Sequence, residues 1–145
     1  MLKDIGVSWA IVGHSEHRKI FQQSDFDIGC KVKNSLDNGM NVILCVGECS
    51  IERLTGKTHK VTTDMLEAVT KWIRPEDWNR IVICYEPVWI HGVEGGKRVN
   101  PVDAQEACIN IRDWVRRVVH PELGKQIRVI YGGEVNSEEA ERFIR

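Results

Sequence analysis

Four short apolar runs, separated by stretches with a helical pattern, constrain the fold of this chain more than any other feature. The runs lie at residues 9–12, 41–46, 81–85 and 127–131 and are rich in valine and isoleucine. Nearly continuous apolar runs of this length suit strands that are covered on both faces. They therefore predict strands of a sheet that is packed between other layers.

The segments between these runs predict helices at 25–37, at about 58–73, from 101 and from about 138. Ser24 and Asn100 are suitable N-caps, and Pro75 is expected to stop the second helix. The predicted inner stripes are Ile28, Val32 and Leu36; Val61, Met65, Ala68, Val69 and Trp72; and Ala104, Cys108, Ile111, Val115 and Val118. Strands joined by helices run parallel with right-handed crossovers, so residues 1–145 are expected to form a single α/β domain.

The composition excludes several classes of partner. A net charge of −1 gives no electrostatic reason to expect nucleic acid or an acidic membrane surface. No apolar run approaches the roughly 18–20 residues of a membrane span, and the first ten residues do not resemble a signal peptide. Five cysteines without a Cys-x-x-Cys pair favour a reducing cytoplasm. Cys45 and Cys49 have no matching pair at ligand spacing, so we predict no metal.

Polar residues follow each of the four apolar runs. The sequences there are GHSEHR at 13–18, VGEC at 46–49, YEPVW at 85–89 and YGGEV at 131–135. The carboxyl ends of parallel strands lie at one edge of a sheet, where such folds place their functional residues. The loops DNGM and PEDW at the opposite ends are expected to be ordinary turns.

Each of these signals also has a structural explanation. His14 alone is more often a satisfied or solvated histidine than a catalyst, and Glu16 and Glu48 could cap helices or pair with Arg18. Gly132 and Gly133 could form only a tight turn, and HGVEGGKR at 91–98 could be a surface loop.

Together the signals point to chemistry. A carboxylate (Glu86), an imidazole (His14) and glycine amides suited to phosphate are the groups needed to abstract a proton beside a carbonyl. The glycine-rich loop after Trp89 is then expected to be a lid that excludes water.

These motifs resemble the triosephosphate isomerase family. GHSE, CVGE, YEPVW and YGG occur in that family's order and at comparable spacing, and the likeness extends over essentially all 145 residues. The resemblance implies a (β/α)₈ barrel and an aldose–ketose isomerase that needs no cofactor. It also implies a small phosphorylated sugar as substrate, a role in glycolysis and gluconeogenesis, and a homodimer for the full-length protein.

The resemblance implies a role for each matching position. Glu86 matches the catalytic base, His14 the neutral electrophile and Glu16 a supporting carboxylate. The expected substrate-binding residues are Gly92 in the lid and Gly132, Gly133 and Glu134 after the fourth strand. Pro87, Val88 and Trp89 match the rigid lid hinge, which explains why bulky residues follow Glu86, and Cys45 matches a buried packing residue.

Three departures leave alternatives open. The lid from Ile90 to Lys97 is two residues longer than usual, Glu134 replaces a phosphate-binding serine, and His17 replaces an arginine. The longer lid also resembles related tetrulose-phosphate isomerases.

A barrel needs about 250 residues, so four βα units, matching strands four to seven, predict an incomplete barrel. We expect the 145-residue chain alone to be inactive, and a non-catalytic half-barrel that binds a ligand or partner is the remaining alternative.

Overall fold

A computed structural model of the chain describes residues 2–90 and 99–144. Its strands are β1 (Trp9–Val12), β2 (Asn41–Val46), β3 (Ile81–Tyr85) and β4 (Arg128–Tyr131). Within these residues the strands form a sheet of order β1-β2-β3-β4, in which every neighbouring pair is parallel. The fold is therefore the predicted parallel α/β arrangement, consistent with an incomplete barrel.

Helices separate the strands. In chain order they are α1 (Ser15–Lys19), α2 (Asp25–Asp37), α3 (Ser50–Leu54), α4 (Thr58–Thr70), α5 (Pro101–Val118), α6 (Pro121–Gln126) and α7 (Ser137–Ile144). Short 3₁₀ helices cover Lys3–Ile5, Pro75–Arg80 and Val88–Ile90.

The predicted caps explain why two long helices begin where they do. The Ser24 hydroxyl accepts a hydrogen bond from the Asp27 N–H at 3.2 Å, and the Asp27 carboxylate accepts one from the Ser24 N–H at 2.9 Å. This reciprocal pair provides hydrogen-bond acceptors for the backbone N–H groups of both residues at the start of α2. Asn100 caps α5 by accepting a hydrogen bond from the Val102 N–H at 3.1 Å.

Several predicted boundaries were wrong by small amounts. Helix α4 ends at Thr70 rather than at residue 73, and β4 begins at Arg128 rather than at 127. Pro75 opens the 3₁₀ helix Pro75–Arg80, where a simple turn was expected, because proline suits the first turn of a helix. Helices α1, α3 and α6 were not predicted, since five or six residues are too few to show an apolar period.

The core lies between one face of the sheet and the helices. On the sheet its members alternate along the strands, for example Val42, Leu44 and Val46 on β2 and Ile81, Ile83 and Tyr85 on β3. All three predicted stripe residues of α2 are buried against this face. Burial of this continuous apolar surface is the main force that holds the helices on the sheet.

Two predicted stripes were only partly right. In α4 the fully buried residues are Thr62, Leu66 and Val69, and the other predicted positions are half-buried. The reason is that α4 lies between α2 and α5, so its flanks are covered as well as its centre. In α5, Val118 is exposed, and Trp114 is buried instead.

The opposite, concave face of the sheet is partly open. Ile11 on β1 is 59% exposed and Ile130 on β4 is 43% exposed, so the outer strands are not covered on both faces as their sequences suggested. Over this face the Arg128 guanidinium lies 5.5 Å from the centre of the Trp9 ring. Side chains of the two outermost strands therefore meet across the sheet.

Candidate active site

Glu86 lies directly after β3 at the carboxyl edge of the sheet. Its N–H donates to the Val46 carbonyl at 2.9 Å, which continues the β2–β3 ladder by one residue and fixes the backbone there. Only 2% of the residue is exposed. A carboxylate in such a place must be satisfied by hydrogen bonds, because burying an unpaired charge is costly.

Ser15 supplies two of those hydrogen bonds. Its N–H donates to Glu86 Oε2 at 3.0 Å and its hydroxyl donates to Oε1 at 2.6 Å. Ser15 is the first residue of α1, where backbone N–H groups have no partner within the helix. The sequence analysis did not single out Ser15, and its position between His14 and Glu16 in GHSE was the only available signal.

His14 gives a further contact to the carboxylate. Its Nε2 lies 3.1 Å from Glu86 Oε1, and its Nδ1 accepts a hydrogen bond from the Glu16 N–H at 3.4 Å. An imidazole whose Nδ1 accepts a hydrogen bond carries a proton on Nε2. This arrangement suits a hydrogen-bond donor with its N–H directed at the carboxylate.

Glu16 and Arg18 are placed differently from one another. The side chain of Glu16 is 71% exposed, with Oε2 3.9 Å from His14 Nδ1. Arg18 pairs with Asp25 at 2.7 Å and donates to the Gly13 carbonyl at 2.8 Å. The pairing of Glu16 or Glu48 with Arg18 that the sequence left open is not observed, and Arg18 instead ties the loop after β1 to the start of α2.

Glu48 is fully buried and accepts three hydrogen bonds on one oxygen. Its Oε1 accepts from the Tyr85 hydroxyl at 3.0 Å, from Trp89 Nε1 at 3.0 Å and from the Thr58 hydroxyl at 3.1 Å. Its Oε2 has no partner among the described residues. Burial and the charge of Glu48 raise the pKa of Tyr85, so the phenol remains a donor.

Arg53 joins this network from outside. Its guanidinium lies 5.5 Å from the centre of the Trp89 ring, and Nη2 pairs with Asp103 of α5 at 2.7 Å. Its Nη1 is 3.9 Å from Glu48 Oε1. The network thus connects Trp89, which ends the YEPVW motif, with the first turn of the helix that follows residues 91–98.

The predicted hinge residues are held in place. Pro87 and Val88 are buried, and Val88 donates its N–H to the Glu48 carbonyl at 3.1 Å. Trp89 is half-buried within the 3₁₀ helix Val88–Ile90. The predicted lid residue Gly92, and most of the lid with it, lies outside the described residues.

Gly132 and Gly133 lie beside Glu86 on the next strand. Gly132 donates its N–H to the Tyr85 carbonyl at 2.8 Å, so it follows the β3–β4 ladder as Glu86 does. A Cβ on Gly132 would be 2.2 Å from Cys84 Sγ, and one on Gly133 would be 2.1 Å from the Tyr131 hydroxyl. Close packing therefore requires glycine at both positions. Glu134 follows them with an exposed side chain, and α7 begins three residues later.

The cysteines are all reduced, and Cys45 is buried as the resemblance implied. Cys49 is the N-cap residue of α3. Within residues 2–90 and 99–144, no three His, Cys, Asp or Glu side chains are grouped as metal ligands would be. In the same ranges, no helix is long and apolar enough to cross a membrane.

Parallel strands here bring a buried carboxylate and an imidazole to one edge of the sheet, and these are the groups that acid–base sites of barrel enzymes use. A sequence model described as triosephosphate isomerase matches residues 1–145. The chain belongs to the triosephosphate isomerase family.

Relatives with that name agree with this assignment. The chain is 45% identical over 141 residues to the triosephosphate isomerase of Taenia solium, an alignment that covers 97% of this chain and 56% of the relative. It is 42% identical over 134 residues to that of Paracoccidioides lutzii, covering 92% and 53%. It is 42% identical over 136 residues to that of Coprinopsis cinerea, covering 94% and 53%. The chain spans about half the length of these relatives.

Proposed function

We propose that the protein carrying this chain interconverts dihydroxyacetone phosphate and D-glyceraldehyde 3-phosphate. The observation that carries the proposal is the contact of 3.1 Å between His14 Nε2 and the buried Glu86 carboxylate. Family membership supports the same reaction, and triosephosphate isomerase is the familiar example of a glutamate base paired with a neutral histidine. The similar proteins are triosephosphate isomerases, which supports the triose over the tetrulose alternative.

The proposed reaction needs only proton transfers. Glu86 takes a proton from the carbon beside the carbonyl, and the bonding electrons form an enediolate. The Nε2–H of His14 donates to the oxygen on which negative charge develops. Glu86 then returns the proton to the neighbouring carbon, while the hydroxyl proton passes by way of His14 Nε2 from its oxygen to the former carbonyl oxygen. The carbonyl group has then moved by one position without a cofactor.

Glu86 must leave Ser15 to perform this step. Both of its oxygens accept hydrogen bonds from Ser15, so neither is directed at a substrate carbon. We infer that substrate exchanges these two bonds for contact with the reacting carbon. Pro87, Val88 and Trp89 follow Glu86 directly and are proposed to be the rigid hinge of this movement.

The phosphate of the substrate is proposed to bind at the next loop. Gly132 and Gly133 are close to Glu86 along the strand ends, and glycine lets a phosphate approach the backbone. The N–H of Gly132 is bonded to the Tyr85 carbonyl, so Gly133 is proposed to supply the amide and Gly132 the open approach. Gly92 is proposed to add a further amide, and Glu134 to lie at the edge of this phosphate site. Glu16 is proposed to support His14 from the surface.

Assembly and location are proposals as well. Family membership supports a homodimer for the full-length protein, and the exposed side chains of Ile20 and Phe21, at 68% and 66%, offer apolar surface for contact. Sedimentation of the protein at several concentrations tests this. The odd number of cysteines without a Cys-x-x-Cys pair supports a cytoplasmic enzyme, and family membership supports a role in glycolysis and gluconeogenesis.

The variant Glu86→Gln tests the proposed function in the protein expressed with any flanking sequence that its gene encodes. An amide keeps the shape of the side chain but cannot take a proton, so turnover should fall by about 10²–10⁴-fold. The matched control is Glu67→Gln on the exposed side of α4, which should keep full activity. Unchanged turnover in Glu86→Gln would refute the assignment.

A separate assay of the purified 145-residue chain tests the prediction that it is inactive alone. We expect no measurable isomerase rate, because the loops of only four strands are present. A measurable rate would contradict that expectation.

A further inference from the structure

Cys45 and Cys84 lie opposite each other on neighbouring strands. They are register partners in the β2–β3 ladder. Neighbouring strands are about 4.8 Å apart, and disulfides join Cα atoms that are about 4.4–6.8 Å apart. The backbone therefore already holds these two residues at a separation that a disulfide requires.

Both thiols are on the same face of the sheet. Their sequence neighbours Leu44 and Ile83 belong to the core on the helix side, so Cys45 and Cys84 point to the concave face. The interaction between the two thiols raises the pKa of Cys45 and lowers the pKa of Cys84.

The pair forms the floor of the candidate active site. A Cβ on Gly132 would be 2.2 Å from Cys84 Sγ, which means that the sulfur lies directly against the proposed phosphate loop. The charge of Glu86 raises the pKa of both thiols. Cys84 is also only two residues before Glu86 on the same strand.

We propose that Cys45 and Cys84 are an oxidative modification site that forms a disulfide with hydrogen peroxide. The sulfur of Cys84 attacks one peroxide oxygen, the O–O bond breaks, and sulfenic acid and water result. The sulfur of Cys45 then displaces hydroxide from that sulfenic acid, and a proton completes the second water. The balance is two thiols and one peroxide to one disulfide and two waters.

The low exposure of Cys45 and Cys84 determines which oxidant can reach them and which thiol reacts with oxidised Cys84. Cys45 is 2% exposed and Cys84 is 7% exposed, so a molecule the size of peroxide is suitable and a bulky disulfide is not. Cys30, Cys49 and Cys108 are half-buried at other places in the fold. Once Cys84 is oxidised, the adjacent Cys45 is the thiol opposite it in the ladder.

The disulfide is expected to impair the site. It would draw the two sulfurs to about 2.05 Å, pull Cys84 away from Gly132 and join β2 to β3 directly below Glu86. This expected loss of activity rests on the proposed function. We expect at least a tenfold loss of isomerase turnover that dithiothreitol reverses.

The test treats the Cys30→Ser/Cys49→Ser/Cys108→Ser variant with hydrogen peroxide, blocks free thiols under denaturing conditions and maps the peptides by mass. We expect a linked peptide pair containing Cys45 and Cys84 that is two hydrogen atoms lighter and disappears with dithiothreitol. The control adds Cys84→Ala, which should form no link and lose no activity on the same treatment.

The outcomes separate the claims. Recovery of Cys45 and Cys84 as blocked thiols, or as separate overoxidised residues, would overturn the modification site. A complete link with unchanged turnover would overturn its effect on the site. Absence of isomerase activity before treatment would refute the proposed function instead, and the mass measurement would still decide whether the disulfide forms.

Discussion

Ser15 binds the carboxylate of Glu86 across 71 positions of sequence, with its N–H 3.0 Å from Oε2 and its hydroxyl 2.6 Å from Oε1. The contact joins the loop after β1 to the end of β3, which are two strands apart in the sheet. It explains how a glutamate that is only 2% exposed has hydrogen bonds to both of its carboxylate oxygens. The same two bonds keep Glu86 in a resting position.

We predict that Ser15→Ala lowers stability without lowering turnover. The buried carboxylate loses one charge-assisted hydrogen bond, which should reduce the free energy of unfolding by about 1.5–3 kcal/mol. Because Glu86 is proposed to leave Ser15 during the reaction, the lost bond belongs to the resting state and its loss should not raise the barrier. Urea unfolding at pH 7 and steady-state assays measure the two effects. Ser15→Thr keeps the hydroxyl and should retain most of the stability, so equal losses of stability in the two variants would contradict this explanation.

We predict that Tyr85→Phe destabilises the protein although it removes only one oxygen. The phenol is buried and donates to Glu48 at 3.0 Å, so its loss should cost about 1.5–3 kcal/mol in the free energy of unfolding. Ser35→Ala is the matched control, because the Ser35 hydroxyl binds only the Lys31 carbonyl on the surface of α2. That change should stay within about 0.5 kcal/mol. A neutral result for Tyr85→Phe would show that Glu48 does not depend on this donor.

We predict that Asp77→Asn weakens the fold at neutral pH and has no effect in acid. Hydrogen bonds from Arg74 at 2.7 Å and Arg80 at 2.9 Å lower the pKa of Asp77 below its ordinary value of 3.8. A carboxyl whose pKa is lower in the folded state stabilises the fold above its unfolded value, and that stabilisation is lost as the pH falls through the folded value.

The deficit of Asp77→Asn should therefore be about 1 kcal/mol near pH 7, after allowance for solvent screening at half-exposed Arg74. It should shrink as the pH falls below about 4. Unfolding by urea between pH 3 and pH 7 measures it. Asp64→Asn, on an exposed pair with Lys60, should differ little from the unmodified protein across this range. A deficit that grows in acid would contradict the assignment.

We predict that Glu134→Ser increases the apparent affinity for a phosphorylated substrate. Glu134 follows the glycines that are proposed to bind phosphate, and its carboxylate repels a dianion. Removal of about 1 kcal/mol of repulsion should raise kcat/KM about fivefold. The gain should decrease at high salt, because exposed charges are screened. Assays at two salt concentrations test this, and Glu106→Ser on the exposed side of α5 is the control.

Local sequence was enough to predict the main elements. The start of the helix Asp25–Asp37 was predicted because Ser24, a suitable N-cap, comes directly before it. Strand β3 was equally clear, since all five of its residues are buried and apolar or aromatic. Where the determinants of an element are close in sequence, its bounds can be read directly.

Contacts distant in sequence could not be predicted in the same way. Ser15 looks like an ordinary polar residue until β1 and β3 are placed in one sheet. Glu48 could equally have been a helix cap, and only the fold shows it to be a buried acceptor for Tyr85 and Trp89. The face of α4 was misjudged for a related reason, because the helices on either side of it decide which residues are covered.

The contact between Trp9 and Arg128 shows where the curvature of the sheet comes from. The two residues belong to the outermost strands, yet the guanidinium lies 5.5 Å from the ring centre. Each strand is rotated by about 20–25° from its neighbour, and these rotations bend the four strands into an arc. Because this curvature arises between each pair of neighbouring strands, it does not require that the sheet close into a barrel. A sheet built in this way is modular, because further units can be added at its edges without redesign of those already in place.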